Sequence, residues 1–232
     1  MGYILLEGGA EFGGRMAEPD QRALELAGGT NARVRIVPTA AAPDGNDQRA
    51  GANGVRWFRG LGAQDALAVR LTDRAAANDP AVAATLREAQ LIYLLGGFTD
   101  YLGRTLAGSA AWAAIVDAHA AGAVVAGSSA GAMVLCDHSF NPASSQVAAG
   151  LGLVPNSCVI PHHDTFGARW AAQLRASLPH ALLLGIDERT GMIDDGTGQR
   201  WRVYGQGQVT LYVGTEIRVY AAGAEFALPR LT

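Results

Sequence analysis

The sequence predicts an α/β fold: a doubly wound, mostly parallel sheet flanked by helices, with β-hairpins near the C-terminal end. Short, continuously apolar segments alternate with helical segments along the first part of the chain, which is typical of parallel strands buried on both faces. From residue 191 onward, glycine-rich turns separate short β-forming segments. A chain of 232 residues is long enough for one sizeable domain, and we predict a single domain over 1–232.

The first part of the chain is predicted to alternate strands with helices. Glycine or proline follows three of the four apolar runs, and proline with aspartate starts two of the helices. Strands are predicted at residues 3–6, 34–37, 66–71 and 91–95, and helices at residues 19–26, 46–61 and 79–89, followed by two short helical pieces.

The remaining elements follow from residue 123. A strand turns into a small-residue helix over 123–133, and a polar, glycine-containing loop is predicted for 141–152. Further strands are predicted at residues 157–161, 181–186, 201–204, 208–213 and 217–220, with a helix at 169–178.

Composition and charge exclude several classes of function. The net charge is −3 without any basic run, which argues against nucleic-acid and membrane partners. All 18 basic residues are arginine, so a lysine Schiff base and a Ser–Lys dyad are excluded. Cys136 and Cys158 lack CxxC spacing and are expected to be buried thiols. Neither a signal peptide nor an apolar run of membrane-spanning length is evident, so the expected location is the cytoplasm.

The segment Gly127-Ser128-Ser129-Ala130-Gly131 has the form of a nucleophile elbow. Three small β-forming residues precede it and a small-residue helix follows it, so that Ser129 would stand at a sharp strand-to-helix turn. The N–H of Ala130, directly after the serine, is a candidate donor to a developing oxyanion. The alternative is an ordinary glycine–serine loop after a strand.

An elbow serine needs a base and a carboxylate, and both types follow predicted strands. His162 and His163 stand at one strand end, where at most one is expected to face the serine because neighbouring strand residues point to opposite sides. A surface loop and a metal site with Asp164 are the alternatives for this pair. Asp187 and Glu188 end another strand, as a triad carboxylate or as an ordinary acidic loop.

A third strand end supplies backbone groups. The segment 96–98 follows a fully apolar strand, and its two glycines allow the backbone to approach a ligand. It is a candidate for the second oxyanion N–H; the alternative is a simple tight turn.

Taken together, these motifs resemble the S51 serine peptidases, the family of dipeptidase E and cyanophycinase. The resemblance spans most of the chain and includes a serine–histidine–acid order that differs from that of α/β-hydrolases. The motifs are Gly8-Gly9-Ala10-Glu11, Val37-Pro38-Thr39-Ala40, Gly96-Gly97, Gly127-Ser128-Ser129-Ala130-Gly131-Ala132, Val159-Ile160-Pro161-His162-His163 and Gly185-Ile186-Asp187-Glu188.

The resemblance implies a class I glutamine amidotransferase-like fold and hydrolysis of short peptides, with a preference for acidic or β-aspartyl residues. It implies no metal or cofactor, and it is compatible with a homodimer. By matching position, Ser129 is the nucleophile and His163 is the base, because it lies three residues after Ile160. Glu188 is the acid, with Asp187 as the alternative, and the N–H groups of Gly97 and Ala130 form the oxyanion hole.

The sequence also departs from the family pattern around the site. Phe98 and Thr99 stand where many relatives carry asparagine and a polar residue, and Asp164 stands where cyanophycinase-like members carry an aromatic residue. We predict that Phe98, Thr99, His162 and Arg169 contact the substrate, with Arg169 as a bidentate fork for a carboxylate.

The resulting hypothesis is a serine dipeptidase or exopeptidase that works through an acyl-enzyme. The main alternative is a non-catalytic member of the amidotransferase-like fold that binds a small ligand or a protein. A metal hydrolase built on His162, His163 and Asp164 is a second alternative.

Overall fold

The structure is a computed structural model that describes residues 1–229. It confirms the α/β fold class, with helices packed around strands that are largely parallel. The strands divide between two sheets, whereas the sequence suggested one. This division arises because six of the strands after the serine turn pair with one another, whereas three others extend the first sheet.

The first part of the chain matches the predicted alternation closely. Its elements are β1 (Tyr3–Glu7), α1 (Ala17–Leu26), β2 (Arg33–Val37), α2 (Asp47–Gly60), β3 (Asp65–Ala68), α3 (Pro80–Arg87), β4 (Leu91–Leu94), α4 (Thr99–Leu106), α5 (Ala110–Ala120) and β5 (Val124–Ser128).

The second part is richer in strands than predicted. Its elements are α6 (Ala130–Leu135), β6 (Cys136–Asn141), β7 (Gln146–Ala149), β8 (Val154–Ile160), α7 (Ala171–Ser177), β9 (Leu182–Ile186), β10 (Thr190–Asp194), β11 (Arg200–Gly205), β12 (Gln208–Val213), β13 (Glu216–Ala221) and β14 (Glu225–Ala227).

The larger sheet has eight strands in the order β14-β11-β10-β1-β5-β4-β2-β3. Its strands β1, β5, β4, β2 and β3 are parallel, and β10, β11 and β14 add an antiparallel edge. The smaller sheet has six strands in the order β13-β12-β9-β8-β6-β7, of which β9, β8 and β6 are parallel. The predicted hairpins therefore extend both sheets.

The loop predicted for 141–152 is incorrect in part. Strand β7 occupies residues 146–149 and pairs with β6 to form a hairpin at the edge of the smaller sheet. Its side chains are mostly exposed, so it lacks the apolar alternation by which a strand is recognised. Strands β10 and β14 were also not predicted.

Parallel pairing brings the carboxyl ends of several strands to one edge. Gly127 on β5 is opposite Leu6 on β1 and Leu94 on β4, so the segments after these three strands lie side by side. In the smaller sheet Ile160 on β8 is opposite Gly185 on β9. The candidate site residues follow these strand ends, where sites of open α/β sheets form. Within residues 1–229, no helix is both long and apolar enough to cross a lipid bilayer.

Candidate active site

Ser129 lies at the turn from β5 into α6 with an unusual backbone conformation. Its φ is +48° and its ψ is −109°, which a residue with a side chain rarely adopts. The Ser129 N–H donates to the carbonyl oxygen of Glu7 at 3.0 Å, so the turn is tied to the end of β1. Ala130 begins α6 and is fully buried.

A histidine and a carboxylate stand in line with this serine. The Ser129 Oγ lies 3.0 Å from His162 Nε2, and His162 Nδ1 lies 2.8 Å from Glu188 Oε1. The side chains of His162 and Glu188 are 18% and 26% exposed, so solvent reaches them only in part. The three groups therefore form a continuous hydrogen-bonded chain that starts at a hydroxyl.

The structure corrects the prediction for the histidine. His163 does not face Ser129: its Nε2 lies 2.8 Å from the hydroxyl of Tyr212, and its Nδ1 lies 3.6 Å from Asp187 Oδ1. Strand β8 ends at Ile160, and His162 has a φ of +50°, so the side-chain alternation of a strand does not continue through this segment. Asp187, the alternative acid, therefore pairs with His163, and His162 contacts the serine.

The loop after β1, residues 8–11, holds the histidine and the acid through its backbone. The Gly8 carbonyl accepts the N–H of His162 at 2.8 Å, and the Gly9 carbonyl accepts the N–H of Arg189 at 3.0 Å. Gly9 has a φ of +119°, and a Cβ there would stand 2.2 Å from His162 Cε1. Only glycine therefore lets the imidazole ring approach this loop. We call residues 8–11 the β1 loop.

The turn after β4 approaches the serine from the other side. A Cβ placed on Gly96 would lie 3.3 Å from Ser129 Cβ. Gly97 has a φ of +138°, and a Cβ there would stand 2.3 Å from the carbonyl oxygen of Ala40. This turn is fixed by the Phe98 N–H, which donates to the same carbonyl at 2.8 Å. The assignment of Gly97 and Ala130 to an oxyanion hole stays a prediction.

The predicted substrate contacts have different surroundings. Phe98 is 51% exposed, whereas Thr99 is only 5% exposed and begins α4. The Arg169 guanidinium is exposed and lies 5.8 Å from the ring centre of Phe166. Phe166 stacks on His162 with ring centres 4.6 Å apart, a contact that the sequence did not predict. Phe98 and Arg169 thus present surface near the site, but Thr99 does not.

A cavity of about 770 Å³ adjoins the site, within the range of small-ligand pockets. Its lining includes Gly96 and Glu11, which adjoin the serine turn, and Arg49 and Arg56 on α2. The Glu11 carboxylate accepts the hydroxyl of Ser128 at 3.1 Å. The two arginines were not predicted as site residues, because they stand on a helix face and belong to no motif.

The side chains of His162, His163 and Asp164, considered above as metal ligands, do not converge on one point. Asp164 Oδ1 accepts the N–H of Glu188 at 2.8 Å, and the two neighbouring histidines contact Ser129 and Tyr212. Within residues 1–229, no three histidine, cysteine or acidic side chains are placed to hold a metal ion.

Burial changes the ionisation of several groups around these elements. It raises the pKa of the Asp187 carboxyl beside His163. It also raises the pKa of the Cys136 thiol to about 12 and that of the Cys158 thiol still further. Both thiols are therefore protonated at neutral pH and unreactive, and both are free as expected.

Comparison with known proteins identifies similar sequences and folds. Residues 4–199 match the sequence model of Peptidase family S51. The chain is 30% identical over 223 residues to the cyanophycinase of Geminocystis herdmanii (strain PCC 6308), which covers 91% of this chain and 80% of that protein. It is 28% identical over 226 residues to the cyanophycinase of Trichormus variabilis, covering 92% of this chain and 74% of that one.

Solved structures show the same fold. A peptidase from an acI-B1 Actinobacterium superposes with a TM-score of 0.88 at 28% identity, covering 98% of this chain and 97% of that one. A putative peptidase E protein from Listeria monocytogenes EGD-e superposes with a TM-score of 0.59 at 16% identity, over 96% and 100% of the two chains. At that identity the second match speaks for the fold alone.

Proposed function

Because the chain belongs to peptidase family S51, and is therefore a serine-type peptide-bond hydrolase, we propose that it cleaves short peptides through Ser129, His162 and Glu188. The observation that carries this proposal is the hydrogen-bonded chain from Ser129 Oγ through His162 to Glu188. A serine hydroxyl is a weak nucleophile until a base accepts its proton, and this geometry supplies that base.

The reaction follows from the two sides of the imidazole ring. His162 Nε2 takes the Ser129 proton while the oxygen attacks the scissile carbonyl. Glu188 accepts a hydrogen bond from the Nδ1–H group of His162. This bond fixes the tautomer of the imidazole ring and stabilises the imidazolium that forms. The imidazolium then protonates the leaving amine, and an ester on Ser129 remains. Water hydrolyses this acyl-enzyme with His162 again acting as the base, which regenerates the serine.

The charge that develops on the carbonyl oxygen needs donors close to the nucleophile. We assign this role to the N–H groups of Ala130 and Gly97. Ala130 directly follows the nucleophile at the start of α6, and the turn that contains Gly97 approaches it across Gly96. Fixed backbone donors of this kind stabilise a tetrahedral intermediate without reorganising.

The cavity beside the nucleophile supports a dipeptidase or exopeptidase that prefers an acidic residue. Arg49 and Arg56 line it and offer guanidinium groups to a substrate carboxylate. Arg169 is the second candidate for this contact, since it is exposed beside Phe166. A dipeptide in this cavity would have its scissile carbonyl at Ser129.

The proposal is tested with a dipeptide panel that contains Asp-Xaa, β-Asp-Xaa and neutral members. Wild type is compared with Ser129→Ala and with Ser128→Ala, which removes the neighbouring hydroxyl and serves as the matched control. We expect cleavage that is lost in Ser129→Ala and retained in Ser128→Ala. A double variant that reverses both charges, Arg49→Glu with Arg56→Glu, should lower kcat/KM selectively for the acidic members of the panel.

Two results would contradict this function. Normal turnover by Ser129→Ala would exclude the serine mechanism. Folded wild type that cleaves no member and does not react with a serine-directed phosphonylating agent would favour the alternative of a non-catalytic ligand-binding protein. If Arg169→Glu, and not the α2 double variant, abolishes the acidic preference, the carboxylate is bound on the Phe166 side.

A further inference from the structure

Two carboxyl groups, one on β1 and one on α1, are completely buried. Glu7 ends β1, Asp20 is on α1, and neither side chain is exposed to solvent. Neither takes part in the hydrogen-bonded chain of the site. Carboxylates are rarely buried completely unless they are paired or hydrogen-bonded, so this pair needs a physical explanation.

The hydrogen bonds around the pair leave one oxygen of each carboxyl group without a donor, so that one proton could be shared between them. The Tyr93 hydroxyl donates to Glu7 Oε2, and the Trp57 indole N–H donates to Asp20 Oδ2 at 2.7 Å. The other two oxygens, Glu7 Oε1 and Asp20 Oδ1, are buried and receive no donor. A Cβ placed on Gly191 would lie 3.3 Å from Glu7 Cγ and 3.0 Å from the Cβ of Pro19, the residue before Asp20, so the two carboxyl groups are neighbours. A single proton held between them satisfies both remaining oxygens.

The surroundings of the pair oppose a second negative charge. The charged and titratable groups that face it are Glu11 in the β1 loop and Tyr93 on β4. The other neighbours, Trp57 on α2 and Gly191 on β10, are neutral. Burial raises the pKa of both carboxyls, and the Glu11 carboxylate raises it further. The pair therefore retains one proton well above the usual carboxyl range.

The backbone beside this pair carries the candidate active site. The Glu7 carbonyl accepts the N–H of Ser129, and the next two carbonyls, of Gly8 and Gly9, accept the N–H groups of His162 and Arg189. Three successive carbonyls thus bind the nucleophile, the base and the segment that follows Glu188. A shift of the Glu7 side chain would move all three attachments at once.

We infer that Glu7 and Asp20 share one proton and act as a positioning pair for the hydrolytic site, holding the end of β1 against the serine turn while that proton is present. When the proton leaves, two like charges face each other, and none of the neighbouring groups named above carries a positive charge. They must separate or admit water, and the end of β1 moves with Glu7. The pair touches no substrate, so its loss lowers kcat and leaves KM nearly unchanged.

The variant Asp20→Asn removes the titratable proton that the pair shares but keeps the hydrogen bonds around it. Its side-chain N–H can donate to Glu7 Oε1, and its oxygen can still accept the Trp57 indole N–H, with one negative charge left on Glu7. The matched control is Glu25→Gln, which changes an exposed carboxylate on the same helix. The inference rests on the proposed function only for the kinetic measurement described next.

The kinetic test is the pH profile of kcat between about pH 5 and about pH 10, which brackets carboxyl and phenol titration. Wild type and Glu25→Gln should lose about tenfold in kcat on the alkaline side, equivalent to the removal of about 1.4 kcal/mol of transition-state stabilisation. Asp20→Asn should not show this decline. Identical alkaline declines in wild type and Asp20→Asn would overturn the inference.

A second measurement does not depend on peptidase activity. The Trp57 indole N–H resonance, identified by its loss in Trp57→Phe, reports the ionisation of Asp20. In wild type it should shift with a midpoint above the usual carboxyl range. The shift should move to lower pH by about one unit or more in Glu7→Gln and be absent in Asp20→Asn. A wild-type midpoint in the usual range, unchanged in Glu7→Gln, would exclude the shared proton even if the protein cleaves no peptide.

Discussion

Two histidine–carboxylate pairs lie side by side in this molecule, and only one of them contacts the serine that we propose as the nucleophile. His162 pairs with Glu188 at 2.8 Å and contacts the Ser129 hydroxyl. His163 lies 3.6 Å from Asp187 and contacts the Tyr212 hydroxyl. Each pair therefore consists of an imidazole between a carboxylate and a hydroxyl.

The pairs differ in what the hydroxyl can do. Ser129 stands at a sharp turn beside a cavity, whereas Tyr212 is only 9% exposed and belongs to β12. The side chains of the second pair are also more buried, at 11% for His163 and 8% for Asp187. By our proposal, the same chemical groups serve hydrolysis in one pair and packing in the other. Access to substrate makes the difference.

The comparison is tested most severely at the two hydroxyls. Ser129→Ala should lower kcat by about 10⁵- to 10⁶-fold, because the nucleophile is lost. Tyr212→Phe should change kcat by less than about tenfold, since only one hydrogen bond of about 1 kcal/mol is removed. Steady-state rates on a cleaved dipeptide measure both. A large loss of kcat in Tyr212→Phe would contradict the division of roles.

The two histidines give the next test. His162→Ala should lower kcat by about 10⁴- to 10⁶-fold, because the serine loses its base. His163→Ala should keep kcat within about tenfold but lower the free energy of unfolding by about 1–3 kcal/mol, since Tyr212 and Asp187 lose a buried partner. Urea unfolding and kinetics on the same preparations separate the effects. The opposite pattern would restore His163 as the base.

Substitutions of the two acids, Glu188 and Asp187, should differ less in their effect on kcat than those of the two histidines. Glu188→Gln keeps the shape but removes the charge that orients His162, and kcat should fall by about 10³- to 10⁴-fold. Asp187→Asn should lower kcat by less than about tenfold, because the nearest histidine does not contact the serine. Equal losses in the two variants would mean that both carboxylates support the base.

The smallest expected effect is on the pH dependence of stability. Burial raises the pKa of Asp187 above its unfolded value, so the folded protein binds this proton more tightly than the unfolded chain. The associated stability is present below the unfolded pKa of about 3.9 and is lost as the pH rises through the raised folded pKa. Unfolding curves at a series of pH values should show this loss in wild type and not in Asp187→Asn.

The local motifs made much of this architecture predictable. The strand-to-helix turn at Ser129 and the pairing of a histidine with Glu188 depend on short segments whose residue types permit few conformations. Strands β4 and β5 of the larger sheet were predictable because they are short, continuously buried apolar segments. Strand β7 was not, because an exposed edge strand carries no apolar pattern.

The choice between the histidines could not be made from spacing. It depends on the left-handed backbone of His162 (φ +50°), and a residue with a side chain gives no local signal for that conformation. The His162 backbone is held there by the carbonyl of Gly8, which is distant in sequence, and its ring packs on Phe166, four residues later. The same applies to Arg49 and Arg56, whose place at the cavity depends on how α2 packs against the sheet.

The backbone of Ser129 also bears on how costly this active site is to keep. A residue held at φ +48° and ψ −109° opposes folding by about 1–3 kcal/mol relative to a relaxed conformation. Glycine tolerates such angles, so Ser129→Gly should be inactive yet unfold at a higher temperature than Ser129→Ala. Selection for activity therefore maintains a serine at a position where glycine would give a more stable fold. A lineage released from that selection would gain stability from a single codon change here.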